Sequence, residues 1–108
     1  MLVDFWASWC GPCIKETPNI TAVYNEFKGD KFDVLSIAIR DEREKTIKSA
    51  IENKIVWNQI IDAQNIPRDL YGITIIPQIM LFGSDGKIVA KGILGAYVRI
   101  VVVKALGK

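Results

Sequence analysis

The feature that most constrains this chain is a short motif, Trp9-Cys10-Gly11-Pro12-Cys13, which contains both of its cysteines. The motif lies between an apolar run that favours a strand and a segment with helical periodicity. A helix N-terminus supplies unpaired N–H groups and positive dipole charge, and both favour a thiolate at Cys10. The two sulfurs can close a small disulfide ring across the first turn, where Pro12 loses no hydrogen bond. The pattern therefore predicts reversible dithiol chemistry at the start of a helix.

Other interpretations of the cysteine pair are a zinc site, a structural disulfide or a chance spacing. A structural zinc site wants four Cys or His ligands, whereas this chain has two cysteines and no histidine, which nearly excludes zinc. The absence of histidine also removes Ser-His and Cys-His catalysis. A purely structural bridge over so short a loop would constrain the unfolded chain little. Redox activity is the favoured interpretation, and a binding module that has kept the motif is the main alternative.

Size and charge bound the remaining possibilities. The chain has 108 residues, half of them hydrophobic, so we expect residues 1–108 to form one domain with a modest core. The net charge is +2 and the lysines are interspersed with acids, so neither nucleic acid nor an anionic membrane surface is expected as a partner. No segment reaches the ~18 apolar residues that would span a bilayer, and no signal-peptide pattern opens the chain.

Periodicity predicts an alternating α/β chain with a mixed sheet. The predicted strands cover residues 2–7, 32–39, 56–62, 78–82 and 87–92, and the predicted helices cover residues 12–27, 41–54, 67–71 and the C-terminal segment. A hairpin turn at Gly83-Ser84-Asp85-Gly86 makes the last two strands antiparallel. The C-terminal segment carries β-branched residues 100–103, but five apolar residues there fit one helical face: Val98, Val101, Val102, Ala105 and Leu106.

The helix predicted over residues 41–54 carries two finer expectations. Asp41 with Glu44 resembles a capping box at its start. Ile47, Ala50 and Ile51 are expected to form its buried stripe.

Residues 3–13 resemble the active-site segment of thioredoxins almost residue for residue. Residues 14–18, 75–77 and 84–88 resemble the TlpA/ResA-like thiol-disulfide oxidoreductase branch more closely, and the likeness covers Leu2 to about Gly95. The resemblance implies an α/β thioredoxin fold, in which helices flank a central mixed sheet and a helical insert precedes a cis-proline strand. It also implies a further strand and helix before Met1, so that the chain would be an excised or truncated domain.

Two carboxylates are candidates for chemistry. Asp4 lies in an apolar strand, where burial should raise its pKa and let it exchange a proton with a buried thiol. The resemblance implies this role, and a partly solvated strand aspartate is the alternative. Glu16 lies one turn after Cys13 and matches an acid that tunes the dithiol in TlpA/ResA-like proteins. Its alternative is a solvated first-turn glutamate.

The resemblance also places a substrate site at Ile76 and Pro77. It implies that Pro77 is a cis-proline facing the dithiol, and that the backbone of Ile76 pairs with an incoming extended peptide. The family often has Thr after this proline, whereas this chain has Gln78. The rest of the contact surface is expected to be Trp9, Gly11 and Pro12. Trp6 and Trp57 are expected in the core.

These features predict a thiol-disulfide oxidoreductase that reduces protein disulfides. In the expected cycle Cys10 attacks, Cys13 resolves the mixed disulfide and Asp4 accepts the proton of Cys13. The cycle requires a disulfide-containing protein substrate and a separate electron-donor protein, and it implies no organic cofactor or metal. We expect a monomer, outside the cytoplasm in the periplasm or cell envelope by resemblance, with the cytoplasm as the alternative.

Two other classes remain as alternatives to a reductase. One is a non-catalytic thioredoxin-fold binding module. The other is a peroxiredoxin-type peroxidase, whose peroxidatic cysteine normally follows a Pro/Thr-containing loop, with a resolving cysteine far away. Nothing in the sequence matches that arrangement.

Overall fold

The computed structural model describes residues 1–108 and contains five strands and four helices. The strands are β1 (Leu2–Trp6), β2 (Val34–Ala38), β3 (Asn58–Ile60), β4 (Gln78–Phe82) and β5 (Ile88–Lys91). The helices are α1 (Gly11–Phe27), α2 (Arg43–Glu52), α3 (Ile66–Tyr71) and α4 (Ala96–Ala105). Each element overlaps a predicted one, and most differences are one to four residues at the ends. None of the helices combines the length and hydropathy needed to cross a bilayer.

The sheet is mixed, as predicted, with the strand order β3-β2-β1-β4-β5. β1 pairs in parallel with β2, and β2 with β3. β4 is antiparallel to both β1 and β5. Because β1 and β2 are parallel, their carboxyl ends lie at one edge of the sheet, and the loop that leads to Cys10 and α1 leaves β1 there.

The two faces of the sheet carry different buried clusters. On one face Leu2 belongs to a buried cluster with residues from α1 and α4, which include Ile20, Val23, Val98 and Val102. Side chains alternate along a strand, so Asp4 and Trp6 share this face with Leu2. On the other face Val3 and Phe5 pack in a separate cluster with Ile39, Ala63, Ile73 and Met80. α1 therefore covers the face of β1 that carries Asp4.

Helix α2 corrects two expectations. Its buried residues are Thr46 and Ala50, whereas Ile47 is 38% and Ile51 73% exposed. The predicted stripe is thus wrong at both isoleucines, because the Thr46 hydroxyl turns inward to donate a hydrogen bond to Asp41 at 2.8 Å. The predicted capping box is also wrong, because the N-cap residue of α2 is Glu42 and not Asp41.

The residue that caps α2 is Glu42, and its side chain makes no capping bond. Asp41 lies one residue earlier and accepts the backbone N–H of Glu42 instead.

The two remaining helices agree with the sequence. α3 ends at Gly72, whose φ of +68° lies in the left-handed region where glycine is favoured. α4 confirms that the C-terminal segment is helical, so its periodicity prevails over its β-branched composition. Val98 and Val102 are its buried residues, while Ala105, expected on the same face, is exposed.

Candidate active site around Cys10 and Cys13

The cysteines form a disulfide across the first turn of α1. Their Cα atoms are 5.2 Å apart. Cys10 is the N-cap residue, with extended backbone angles, and its sulfur accepts the backbone N–H of Cys13 at 3.2 Å. One unpaired N–H of the helix start thus points at the Cys10 sulfur, where it stabilises negative charge together with the helix dipole.

Both cysteines are buried. Cys10 is 4% and Cys13 2% exposed, and they pack with Trp6, Ala7, Ala38 and Ala50. Trp6 is therefore a core residue, as predicted. Gly11 and Pro12 between the cysteines are exposed, so these two residues form surface beside the buried disulfide.

Trp9, the residue before the nucleophile candidate, is 58% exposed and held in place by Arg40. Its indole Nε1 donates to the Arg40 carbonyl at 2.8 Å, and the Arg40 guanidinium lies 5.8 Å from the ring centroid. The guanidinium in turn donates to the Thr74 carbonyl at 3.1 Å. Trp9 therefore presents a fixed aromatic surface, beside an open cleft of about 770 Å³ whose lining is mostly polar and charged.

The loop before Cys10 is anchored by Asp41, a residue that the sequence analysis did not link to the site. The backbone N–H and the hydroxyl of Ser8 donate to its two carboxylate oxygens at 2.7 and 2.8 Å. Partial burial acts to raise the pKa of Asp41, but the hydrogen bonds from Ser8, Thr46 and Glu42 outweigh it and leave that pKa below its usual value. One signal was available: Asp41 follows β2, whose carboxyl end lies beside that of β1.

Asp4 lies in the interior, only 3% exposed. Its Oδ2 accepts a hydrogen bond from the Ser36 hydroxyl at 3.2 Å. Burial raises the pKa of Asp4 from 3.8 to about 7, the Ser36 bond opposes this rise, and the negative charge of Glu16 adds to it. The expectation of a buried, weakly acidic carboxyl is confirmed, and a partly solvated aspartate is excluded.

Glu16 lies in the second turn of α1, which begins at Gly11, so it is not the solvated first-turn glutamate of the alternative. It is half-buried, and both of its carboxylate oxygens accept the backbone N–H of Gly95, at 3.2 and 3.0 Å. Gly95 is the N-cap residue of α4. Glu16 thus connects the dithiol helix to the start of α4 and also acts on the Asp4 carboxyl.

The Ile76-Pro77 peptide bond is cis, as the resemblance implied. The half-buried Ile76 packs against the cluster that contains both cysteines. Its N–H and C=O make no backbone hydrogen bond within the chain. Gln78 turns its Oε1 to the backbone N–H of Gly92 at 2.9 Å, so its side chain supports the strand beside it. A backbone position without such a bond therefore lies beside the cluster that contains the two cysteines.

No cluster of three or more His, Cys, Asp or Glu side chains is arranged to hold a metal ion.

Comparisons with known proteins place this geometry in a family. Residues 1–91 match the model of the AhpC/TSA family. Thiol-disulfide oxidoreductase ResA of Geobacillus thermodenitrificans is 24% identical over 88 residues, which cover 82% of this chain and 51% of that protein. The chain thus spans about half the length of the curated ResA relatives it matches.

Two solved structures from Bacteroides are more similar in sequence. The thioredoxin domain of a thiol-disulfide oxidoreductase from Bacteroides vulgatus has a TM-score of 0.88 and 36% identity, covering 95% of this chain and 76% of that one. A thiol:disulfide interchange protein from Bacteroides sp. has a TM-score of 0.85 and 38% identity, covering 99% and 72%. The chain therefore belongs to the AhpC/TSA family and shares the thioredoxin fold of TlpA/ResA-like thiol-disulfide oxidoreductases.

Proposed function

We propose that this chain is a protein-disulfide reductase that acts through Cys10 and Cys13. The Cys10 thiolate attacks a substrate disulfide, so that a mixed disulfide forms and one substrate thiolate leaves. The Cys13 thiolate then attacks the Cys10 sulfur, which restores the intramolecular disulfide and releases the second substrate thiolate. Two electrons pass to the substrate, and a separate electron-donor protein must return two to the chain.

The observation that carries this proposal is the position of Cys10 as the N-cap of α1. Its sulfur receives the Cys13 N–H, and the same N–H can stabilise the Cys10 thiolate when it forms or leaves. Cys13 is a buried residue of the first turn of α1, which suits it to resolve the mixed disulfide from within. Asp4, with a pKa of about 7, is suited to accept the Cys13 proton near neutral pH.

Substrate binding is proposed at the surface around the disulfide. An extended peptide would pair with the free N–H and C=O of Ile76 before Pro77. It would pass over Gly11 and Pro12 and contact the exposed ring of Trp9. Glu16 would tune the dithiol through its charge near Asp4.

The experiment that tests the cycle is a trap. Cys13→Ser keeps the attacking sulfur and removes the resolving one, so we expect a stable mixed disulfide with a protein substrate, seen on non-reducing gels and released by dithiothreitol. Cys10→Ser is the matched control and should trap nothing. Continued turnover by Cys13→Ser would remove Cys13 from the mechanism.

The wild-type protein and its cysteine variants also test the two alternative functions, a peroxidase and a non-catalytic binding module. Cys10 and Cys13 are the only cysteines, which leaves no distant resolving cysteine for a peroxiredoxin-type peroxidase. A peroxide-consumption assay should therefore give no rate above background. A variant with both cysteines replaced by Ser should lose reduction, whereas unchanged partner binding by that variant would favour a non-catalytic module.

Residues 1–108 are proposed to act as one monomeric domain. Its proposed place is outside the cytoplasm, in the periplasm or cell envelope, on the strength of the ResA relatives and of a similar solved structure described as a secreted disulfide oxidoreductase from Mycobacterium tuberculosis.

A further inference from the structure

Two hydrogen bonds in series end on the Asp4 carboxyl, and neither donor has a part in the cycle described above. The indole Nε1 of Trp57 donates to Ser36 Oγ at 2.7 Å, and the Ser36 hydroxyl donates to Asp4 Oδ2 at 3.2 Å. The three side chains are 5%, 0% and 3% exposed, in that order. We call this series the Trp57-Ser36-Asp4 relay. All three are buried, so solvent has little access to replace a lost bond.

Chemistry fixes the direction of the relay. An indole N–H can only donate, and a serine hydroxyl has one proton to give. An ionised Asp4 carboxylate can only accept, so the Ser36 hydroxyl, which itself accepts the Trp57 N–H, donates its proton to Oδ2. A hydrogen bond to a carboxylate is stronger than one to a neutral carboxyl. The relay therefore favours the ionised form of Asp4 and engages Oδ2, while no protein group donates to Oδ1.

We propose that Ser36 and Trp57 are positioning residues for Asp4, holding Oδ2 so that Oδ1 is the atom that exchanges a proton with Cys13. Ser36 acts directly on the carboxyl, and Trp57 acts through Ser36. This role rests on the proposed function, since the proton exchange matters only if the dithiol cycles. Through Trp57, the segment between α2 and β3 would also help to position an active-site residue.

The other groups that face Asp4 do not duplicate the relay. From α1 comes the charged side chain of Glu16, which disfavours the carboxylate, and the same helix carries Cys13. β4 places Ile79 opposite Asp4 in the sheet, and α4 buries two valines on this face, Val98 and Val102. Ser36 is thus the neighbour that donates a hydrogen bond to the carboxylate.

Titration of Asp4 in the oxidised protein tests the relay directly. The bonded cysteines do not titrate, so the carboxyl carbon of Asp4 can be followed by NMR without interference. Ser36→Ala should raise the titration midpoint by about one pH unit, because a hydrogen bond to the carboxylate is lost. Trp57→Phe keeps an aromatic side chain, though a smaller one, and removes the N–H, so it should raise the midpoint by less than Ser36→Ala.

Tyr24→Leu is the matched control, because it disturbs the packing of the same indole without removing either bond. The Tyr24 and Trp57 ring centroids are 5.4 Å apart. The midpoint in Tyr24→Leu should stay at the wild-type value. An equal shift in Tyr24→Leu and Trp57→Phe would overturn the relay, and so would an unchanged midpoint in both Ser36→Ala and Trp57→Phe.

The pH profile of disulfide reduction tests the role of the relay in the cycle. Ser36→Ala should move the acidic limb of the rate upward in pH with the Asp4 midpoint, and this shift should vanish when Asp4→Asn is also present. A profile that stays in place while the midpoint moves would overturn the positioning role. If the wild-type protein reduces no disulfide, both the proposed function and the positioning role of Ser36 and Trp57 are refuted. If only the positioning role is wrong, the wild-type protein still reduces disulfides.

Discussion

Asp4 lies within β1, whereas Asp41 follows β2 and binds Ser8 in the loop between β1 and Cys10, and the surroundings of the two carboxyls shift their pKa values in opposite directions. Asp4 is enclosed by apolar residues and accepts one hydrogen bond, so burial raises its pKa to about 7. Asp41 is only partly buried and accepts four hydrogen bonds, so its pKa falls below the usual value despite some desolvation. The number of donors, weighed against burial, decides between the two outcomes.

The difference separates a group that can change charge from one that cannot. Asp4 can gain and lose a proton near neutral pH, as a proton acceptor for a thiol must. Asp41 stays ionised and fixes Ser8, two residues before Cys10, to the start of α2. At neutral pH the buried Asp4 carboxyl lowers the stability of the fold, whereas the hydrogen-bonded Asp41 carboxylate raises it.

The largest expected effect is on the pH dependence of stability through Asp4. A pKa raised above its unfolded value means that the native state binds more protons between about pH 4 and pH 7, so stability falls as pH rises through this range. With a native pKa of about 7, the loss is on the order of 4 kcal/mol. Urea unfolding of the oxidised protein should show this slope, and Asp4→Asn should flatten it and be more stable at neutral pH.

A wild-type protein whose stability does not fall between about pH 5 and pH 7 would contradict this account of Asp4.

Removal of the Asp41 carboxylate should act in the opposite direction. Asp41→Ala leaves the Ser8 and Thr46 donors without their acceptor, and we expect a loss of about 3 kcal/mol at neutral pH in urea unfolding. The pKa of Asp41 is lower in the folded protein than in the unfolded chain. Its contribution to stability is therefore present at pH values above the unfolded pKa and is lost as pH falls below about 4. Asp85→Ala is the control, since Asp85 is exposed and accepts one hydrogen bond, from the backbone of Lys87.

Equal losses in the Asp41 and Asp85 variants would mean that Asp41 does not anchor the loop.

A smaller effect is expected from Thr46→Val, which keeps the shape of a buried side chain and removes one donor to Asp41. The loss should be about 1 kcal/mol, measured by the same unfolding curves. In the Asp41→Ala background the extra loss should be smaller, because the bond is already absent. Strictly additive losses would show that the two side chains do not act together.

How much could be read from the sequence depends on whether an interaction is local. Cys10 as an N-cap and Asp4 as a buried carboxyl follow from neighbouring residues, and both predictions are confirmed by the structure. The bonds from Ser8 to Asp41 and from Ser36 to Asp4 cross 33 and 32 residues. They depend on how β1 and β2 align, which hydrophobic periodicity does not specify.

The wrong stripe on α2 has a similar cause. Apolar spacing favoured Ile47 and Ile51, but a polar anchor between Thr46 and Asp41 sets which side of the helix faces inward.

The reduction potential of the Cys10–Cys13 pair is the most direct test of whether these cysteines act as a reducing dithiol. The protein is equilibrated against defined thiol-disulfide buffers, and tryptophan fluorescence follows the state of the dithiol beside Trp9. We expect a reversible two-electron transition nearer the ~−270 mV of thioredoxin than the ~−120 mV of strong oxidants. A potential near the second value would contradict the assignment as a reductase, and the absence of any reversible transition would contradict dithiol catalysis altogether.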